Sequence, residues 1–364
     1  MELAKTPVTC AQLIAEFPDL ILEIVGEKSQ GFRKVASPEI GDKDSAVFAN
    51  NARALKKALA SGAKVIGIGK RDRALAESEK TNQTILICSN VELAMARTIK
   101  KFFLDTPYVN PSVSGVHATA IVSPTAEIAK NAKIGPNVFI GAKVKIAEGV
   151  FIGANAVIED GSEIGAGTVI HPLAYIGHSS TIGQRCEILP HAVIGKEGFG
   201  YAHDPLGNHY RIPHSGRVIL EDDVHVGSGC TLDRGTFEDT RIGSGTKIDN
   251  QCHFGHNTSI GKNSVITEGF SVAGSSKIGA NFVSGGHAGV VGHLEICDGV
   301  QIAGLSGVTK TITKPGAYGG YPLQPLQEFL RTKAAIVNLT KMRKQLSKVV
   351  KHLGLDEEAP ENGD

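Results

Sequence analysis

The sequence predicts a mainly β fold, a left-handed parallel β-helix of hexapeptide repeats, with a small α/β domain before it and a helical extension after it. The prediction rests on a six-residue aliphatic period, on small or β-branched residues four places after each aliphatic, and on composition. The chain of 364 residues holds 43 glycines, no tryptophan and only 5% aromatics. A large core so poor in aromatic rings has to be filled by aliphatic side chains stacked in a regular way.

Stepping by six from Val116 gives Val122 and then isoleucine at 128, 134, 140, 146, 152, 158, 164, 170, 176, 182, 188 and 194. The companion series runs Ala120, Ala126, Ala132, Val138, Val144, Val150, Ala156, Ser162, Thr168, Ala174, Ser180, Cys186 and Ala192. Glycine often follows the aliphatic residue, as at Gly135, Gly153 and Gly165. A flat turn every six residues closes a triangular coil of three hexads, and the isoleucines of successive coils stack inside it. The glycines are expected to supply tight corners or positive φ. A helical period of 3.6 residues does not generate this pattern.

The register breaks after Ile194 for a segment from Lys196 to Arg217 that contains Gly198-Phe-Gly-Tyr201 and Ile212-Pro213. It resumes at Leu220, Val226 and Leu232, is interrupted by a four-residue insertion, and then runs from Ile242 to Val308 with Phe254 and Ser284 as its weakest members. Two loops thus leave an otherwise regular prism, and such excursions commonly carry function.

Ahead of the prism, helical patterns at 11–17, 53–60 and 91–103 and strand patterns at 20–25, 65–68 and 84–88 describe a separate α/β domain ending near Pro107 and Pro111. Beyond it, a helix is expected over 326–353, followed by an acidic tail from Asp356 that is expected to be disordered. The expected domains are therefore 1–110, 111–315 and 316–364.

Composition narrows the function. With Lys+Arg 38 against Asp+Glu 37, no nucleic-acid polymer is expected as partner. No window reaches the apolar length of a membrane span, and the first residues lack a signal-peptide pattern. Cys186, Cys230 and Cys252 fall on inward repeat positions, which reads as reduced core thiols and a cytoplasmic location.

Histidine is the side chain best suited to proton transfer near neutrality. Of the thirteen here, His117, His171, His178, His191 and His225 occupy turn positions on ordinary coils, where solvated or local hydrogen-bonding roles are expected. The informative stretch runs from Asp249 to His256-Asn257. A spacing of seven in a coiled prism is compatible with Asp249 orienting the His256 imidazole. The alternative, in which Asp249 and Asn250 cap a turn and His256 is a surface residue, is equally open. His253, His256, His287 and His293 raise a metal reading, but no acidic or cysteine ligands accompany them in a known pattern, and no metal is expected.

Several motifs carry a family resemblance: Gly198-Phe-Gly-Tyr-Ala, Asp233-Arg-Gly, Asp249-Asn-Gln-Cys, His256-Asn257, Ala273-Gly-Ser, Gly292-His-x-Glu-Ile-Cys-Asp and Pro322-Leu-Gln-Pro. Together with the domain order they resemble the UDP-3-O-acylglucosamine N-acyltransferases of lipid A biosynthesis. The resemblance implies a homotrimer with active sites between prisms. His256 would be the general base toward the glucosamine 2-amine, Asp249 its orienting group, and the Gly274 N–H the oxyanion donor. His293 and Asn257 would contact the substrate. The acyl donor would be the phosphopantetheine thioester of a 3-hydroxyacyl carrier protein, with no other cofactor.

The resemblance also makes the N-terminal domain a uridine reader with a Phe-x-x-Asn-Pro-x-Tyr signature. Here Phe48 and Asn51 match it, while Ala52 and Ala54 replace the proline and tyrosine. Core packing is an equal reading of Phe48. On the C-terminal helix, Arg331, Lys333, Lys341, Arg343 and Lys344 are expected to steer the acidic carrier protein, with a solvated outer face as the plainer alternative. Another hexapeptide-repeat acyltransferase acting on a different amino-sugar nucleotide is the competing function.

Overall fold

The computed structural model describes residues 6–78, 82–103, 114–320 and 326–354, which fall into two compact units, Met1–Val109 and Asn110–Asp364. Pro107, Pro111, the Pro322-Leu-Gln-Pro motif and the acidic tail from Asp356 lie outside the described residues.

In the first unit, a sheet runs in the order Ile21–Val25, Thr84–Cys88, Val65–Gly69, Ser45–Ala49, Lys34–Ala36. The first pair is antiparallel and the rest are parallel. Helices α1 (Cys10–Glu16), α2 (Ala52–Ala60), α3 (Arg73–Ser78) and α4 (Val91–Phe102) complete it. Polar caps set the helix starts. Thr9 and Gln12 form a reciprocal capping box on α1, while Asn51 and Asn90 accept from the backbone of α2 and α4. The strand Ser45–Ala49 was not among the sequence expectations. All five of its residues are buried, so it lacks the alternation that marks a half-exposed strand.

The second unit is the prism. Its two-residue strands stack in parallel into three long faces. Following the chain, the first face carries Lys133–Ile134, the second Phe139–Ile140 and the third Lys145–Ile146. Pairing then joins Lys133 to Phe151 and Ile134 to Ile152, one full coil later. Isoleucines 134, 140, 152, 158, 170, 176, 188 and 194 are wholly buried, as are the weak register members Phe254 and Ser284. Two hydroxyls at the small inward positions are satisfied by corner carbonyls: Ser162 donates to Gly177 O at 3.0 Å and Thr168 to Gly183 O at 2.7 Å.

Gly135, Gly153 and Gly165, which follow aliphatics, do not act through positive φ, contrary to one of the two expected roles, whereas Gly195 after Ile194 does, at φ 83°. A Cβ on Gly153 would sit 2.5 Å from Pro172 N, and one on Gly165 would sit 2.5 Å from the Gly183 carbonyl carbon. They are glycine because stacked coils approach too closely there for a side chain. Positive φ falls two residues later, mostly on residues with side chains such as Asn137 and Asn155.

The final helix α5 spans Leu326–His352. Lys341, Lys344, Lys348 and Lys351 form one stripe at helical spacing, offset by two residues from Leu339, Met342, Leu346 and Val349. Basic and apolar stripes therefore lie on opposite sides, and the apolar one is exposed. Among the described residues, no helix is long and apolar enough to cross a membrane.

Candidate active site

The corner where the chain turns from the second face to the third gathers the unusual features of the prism. The long loop leaves after the strand Val193–Lys196 and returns at Val218–Leu220. The shorter insertion lies between Thr231–Asp233 and Thr240–Ile242. His256 follows His253–Phe254 one coil on, Gly274 follows Ser271–Val272, and His293 follows Gly289–Val290. Each is fixed by the parallel ladder below it: His253 pairs Ser271, and Ser271 pairs Gly289.

His256 is half-buried, with its Nδ1 2.9 Å from Asn257 Oδ1 and 3.5 Å from Thr236 Oγ1. The same Asn257 oxygen accepts from the Thr236 N–H at 3.0 Å, and Asn257 Nδ2 faces Glu238 O at 3.4 Å. These contacts identify that atom as the amide oxygen. Nδ1 of His256 must then carry the proton it donates, which leaves Nε2 as a bare acceptor.

Nε2 faces Gly274. A Cβ on that residue would stand 2.7 Å from Nε2 and 2.8 Å from Cε1, so only glycine permits the imidazole to lie there. The Gly274 carbonyl accepts from His293 N–H at 3.1 Å, while its own N–H donates to no group among the described residues. A proton acceptor and an uncommitted backbone donor thus adjoin one another, the two elements that addition to a carbonyl needs.

Above His256 the long loop forms a cavity of about 600 Å³, lined by Phe199, Tyr201, Ile212, His214, Thr236 and His256, with His203 and His209 of the loop hairpin at its side. Its lining includes exposed rings: Phe199 is 83% exposed and Tyr201 43%. His214 is buried, donates from Nδ1 to Ile212 O at 2.9 Å, and meets the His256 ring edge-to-face with centroids 5.2 Å apart. Burial holds its pKa below the ordinary histidine range; the Ile212 carbonyl opposes this and the nearby His256 adds to it. Sequence reasoning passed over His214 because it sits in the irregular loop, outside any periodic register.

Beneath the site, Arg234 is 1% exposed. Its Nε donates to Gly195 O and its Nη2 to His178 O, both at 2.8 Å, and Nη1 contacts the His178 ring. His178 is therefore the partner of a buried guanidinium from two coils away, a longer-range role than a turn position suggests. Burial, and then the Arg234 charge, lower its pKa.

The expectation that coiling brings Asp249 to His256 within one chain is corrected. Asp249 follows Lys247–Ile248 on the first face and occupies the preceding corner, where it is exposed and accepts from Asn250 N–H at 2.8 Å. A spacing of seven is one hexad plus one residue, which places the two residues on different edges of the triangle. The histidine cluster is also dispersed. His253 points out of the second face with Nδ1 2.7 Å from Thr231 Oγ1, and His287 lies at the first corner against Gly269. Among the described residues, no group of three or more His, Cys, Asp or Glu side chains forms a metal site. His293 is exposed one coil beyond Gly274.

In the first unit, Phe48 is buried with its ring against Gly67, where a Cβ would come within 2.5 Å of it. Asn51 caps α2 through Ala54 N–H at 2.9 Å. The strand carrying Phe48 delivers Asn50 to a polar cleft of about 480 Å³, shared with Lys70, Arg71, Asp72 and Asn90, at the carboxyl ends of the parallel strands. Arg331, Lys333, Lys341, Arg343 and Lys344 are all exposed on α5.

Comparison with known proteins adds independent findings. A family model described as the bacterial transferase hexapeptide (six repeats) matches residues 239–269, and one described as the GMPPB C-terminal domain matches residues 116–198. A UDP-3-O-acylglucosamine N-acyltransferase of Methylococcus capsulatus is 44% identical over 273 residues, covering 74% of this chain and 77% of the relative. The protein of the same name from Campylobacter lari is 48% identical over 145 residues, covering 40% of this chain and 46% of that relative. Among solved structures, UDP-N-acetylglucosamine O-acyltransferase from Moraxella catarrhalis is 25% identical with a TM-score of 0.45, covering 65% of this chain and 91% of the other.

Proposed function

Because the chain belongs to the UDP-3-O-acylglucosamine N-acyltransferase family, we propose that it transfers a 3-hydroxyacyl group from an acyl carrier protein thioester to the 2-amine of UDP-3-O-acylglucosamine, with His256 as general base. The observation that carries this reading is the His256 tautomer: Nδ1 donates to Asn257, so the bare Nε2 faces Gly274.

The chemistry follows from that geometry. The amine nitrogen attacks the thioester carbonyl, and Nε2 of His256 takes the proton it sheds. The oxyanion that forms on the former carbonyl oxygen is held by the Gly274 N–H. Collapse of the adduct breaks the C–S bond, and the imidazolium returns its proton to the departing pantetheine sulfur. Asn257 keeps Nδ1 protonated throughout. An amide does this without a negative charge, as the neutral orienting group of Cys-His-Asn hydrolases does. A positioned base contributes about 10² to 10⁴ in rate and one oxyanion donor about 10² to 10³.

The remaining assignments belong to the same reading. His293, exposed on the same corner, contacts the sugar nucleotide. The uridine half is bound by the N-terminal domain, where the polar cleft beside Asn50 and the Phe48–Asn51 strand end stands at the carboxyl edge of a parallel sheet, a usual ligand position in open α/β sheets. The basic stripe of α5, with Arg331 and Lys333, receives the acidic carrier protein. The chain acts as a cytoplasmic homotrimer, and Asp249 contributes to a neighbouring copy's site from its own corner.

The test is acyl transfer from 3-hydroxyacyl carrier protein to UDP-3-O-acylglucosamine, wild type beside His256→Gln. Product with the wild type and a loss of about 10² or more in the variant support the assignment. Absence of product across several acyl lengths, with product from another amine-bearing nucleotide sugar, would move the substrate while leaving the base in place. Full activity of His256→Gln would remove His256 from the mechanism.

A further inference from the structure

His214 is the buried polar anchor of an otherwise exposed loop. Phe199, Leu206 and Tyr210 of that loop are 83%, 87% and 58% exposed, while His214 is 4% exposed. A carbonyl oxygen only accepts, so the 2.9 Å contact with Ile212 O places the His214 proton on Nδ1. Nε2 is then a bare acceptor, buried and without a hydrogen-bond partner among the described residues. Such a buried atom left without a partner calls for a physical reason.

The ring stands against two things, the His256 imidazole and the glycines of the loop. A Cβ on Gly198 would fall 2.9 Å from His214 Nε2 and 3.0 Å from His256 Cβ, and one on Gly200 would fall 3.0 Å from His214 Cε1. The loop backbone therefore closes over both rings at once. The edge-to-face contact, 5.2 Å between centroids at 70°, is a favoured aromatic geometry. It confines the His256 ring.

Charge decides what kind of ring is tolerable. His256 turns cationic when it takes the amine proton, and a second imidazolium in contact would oppose that step. Protonating His214 would place an N–H at Nε2, where no acceptor awaits it. Glu197 and Asp233 are the acidic groups that favour its charged form, and burial outweighs them.

We propose that His214 is a positioning residue for acyl transfer: a neutral imidazole, locked by Ile212, whose ring holds the His256 imidazole with Nε2 toward Gly274. This rests on His256 as the base. The ring is the operative part, so an uncharged ring should replace it better than a polar side chain that keeps only the bond to Ile212.

The experiment compares full-length wild type with His214→Ala, His214→Phe and His214→Asn, measuring kcat and KM for both substrates, oligomeric state and Tm. His214→Ala is expected to lower kcat by about 10- to 10²-fold, the scale of a misplaced catalytic group, with KM changed less than about twofold. His214→Phe should recover most of kcat and His214→Asn should not. A folded Ala variant with wild-type kcat, a loss confined to KM, or rescue by Asn in place of Phe would overturn the proposal. Should the Ala variant fail to fold, the Phe and Asn pair decides it. His256→Gln run alongside separates the two ideas: activity retained there sinks the base assignment, whereas loss there with unchanged His214→Ala sinks only the positioning role.

Discussion

His256 Nδ1 and Asn257 Oδ1 lie 2.9 Å apart, so the group that orients this imidazole is its own neighbour in the chain. The contact exists because Asn257 sits at φ 60°, in the left-handed region that asparagine tolerates better than most residues. The turn there brings the amide alongside the ring, and the Thr236 N–H pins the amide from the second insertion.

Replacing Asn257 should therefore release the tautomer. Asn257→Ala is expected to lower kcat by about 10-fold or more, while Asn257→Asp, which keeps the accepting oxygen, should retain more activity. Asp249→Asn should leave the His256 tautomer unchanged, as read from ¹⁵N chemical shifts of the imidazole. A tautomer change there, with none in Asn257→Ala, would reverse the two assignments.

Gly274→Ala tests the close approach. The new Cβ would stand 2.7 Å from His256 Nε2, so ring or corner must move. A loss of about 10² in kcat is expected, with little change in Tm because the residue is at a corner outside the stacked core. Wild-type kcat would show that Nε2 does not work from this position.

Acid should weaken the fold through His214 and His178. Both are held below the ordinary histidine value, chiefly by burial. The unfolded chain binds their protons first as pH falls below about 6.5, so stability declines from there until the lower folded values are reached. Urea midpoints at pH 7 and pH 5 should show the decline, and His214→Phe should reduce it. An unchanged difference in that variant would show that His214 is not the titrating group.

The isoleucine stack should respond to a single deletion. Ile158 is wholly buried between Ile140 and Ile176 on the second face. Ile158→Ala is expected to cost about 2–5 kcal/mol in chemical denaturation, whereas Ile121→Ala, at a residue 67% exposed, should cost far less.

On α5, charge reversal of Lys341, Lys344 and Lys348 removes one stripe and leaves the apolar stripe of Leu339, Met342 and Leu346 untouched. KM for the carrier protein should rise about tenfold with kcat kept, and the difference should shrink in high salt. A loss in kcat alone would place the stripe elsewhere in the mechanism.

The sequence by itself determined the prism, its three-hexad coil and the two excursions, because a period repeated through so many isoleucines admits one stacking solution. It also located α5 and six of the N-terminal elements, though not Lys34–Ala36, α3 or Ser45–Ala49, the last of which is buried throughout and so shows no alternation. The partners of His256 were decided only in three dimensions. Residue spacing counts along the chain, but neighbours in a coil are set by which edge of the triangle a residue occupies. On that rule Asp249 falls on one edge and His256 on the next. Gly274, His293 and both insertions stack on the edge of His256, and His214 reaches the same edge because the aperiodic loop folds back over it. A loop without a register carries no periodic signal, so its contribution emerges only where the chain closes on itself.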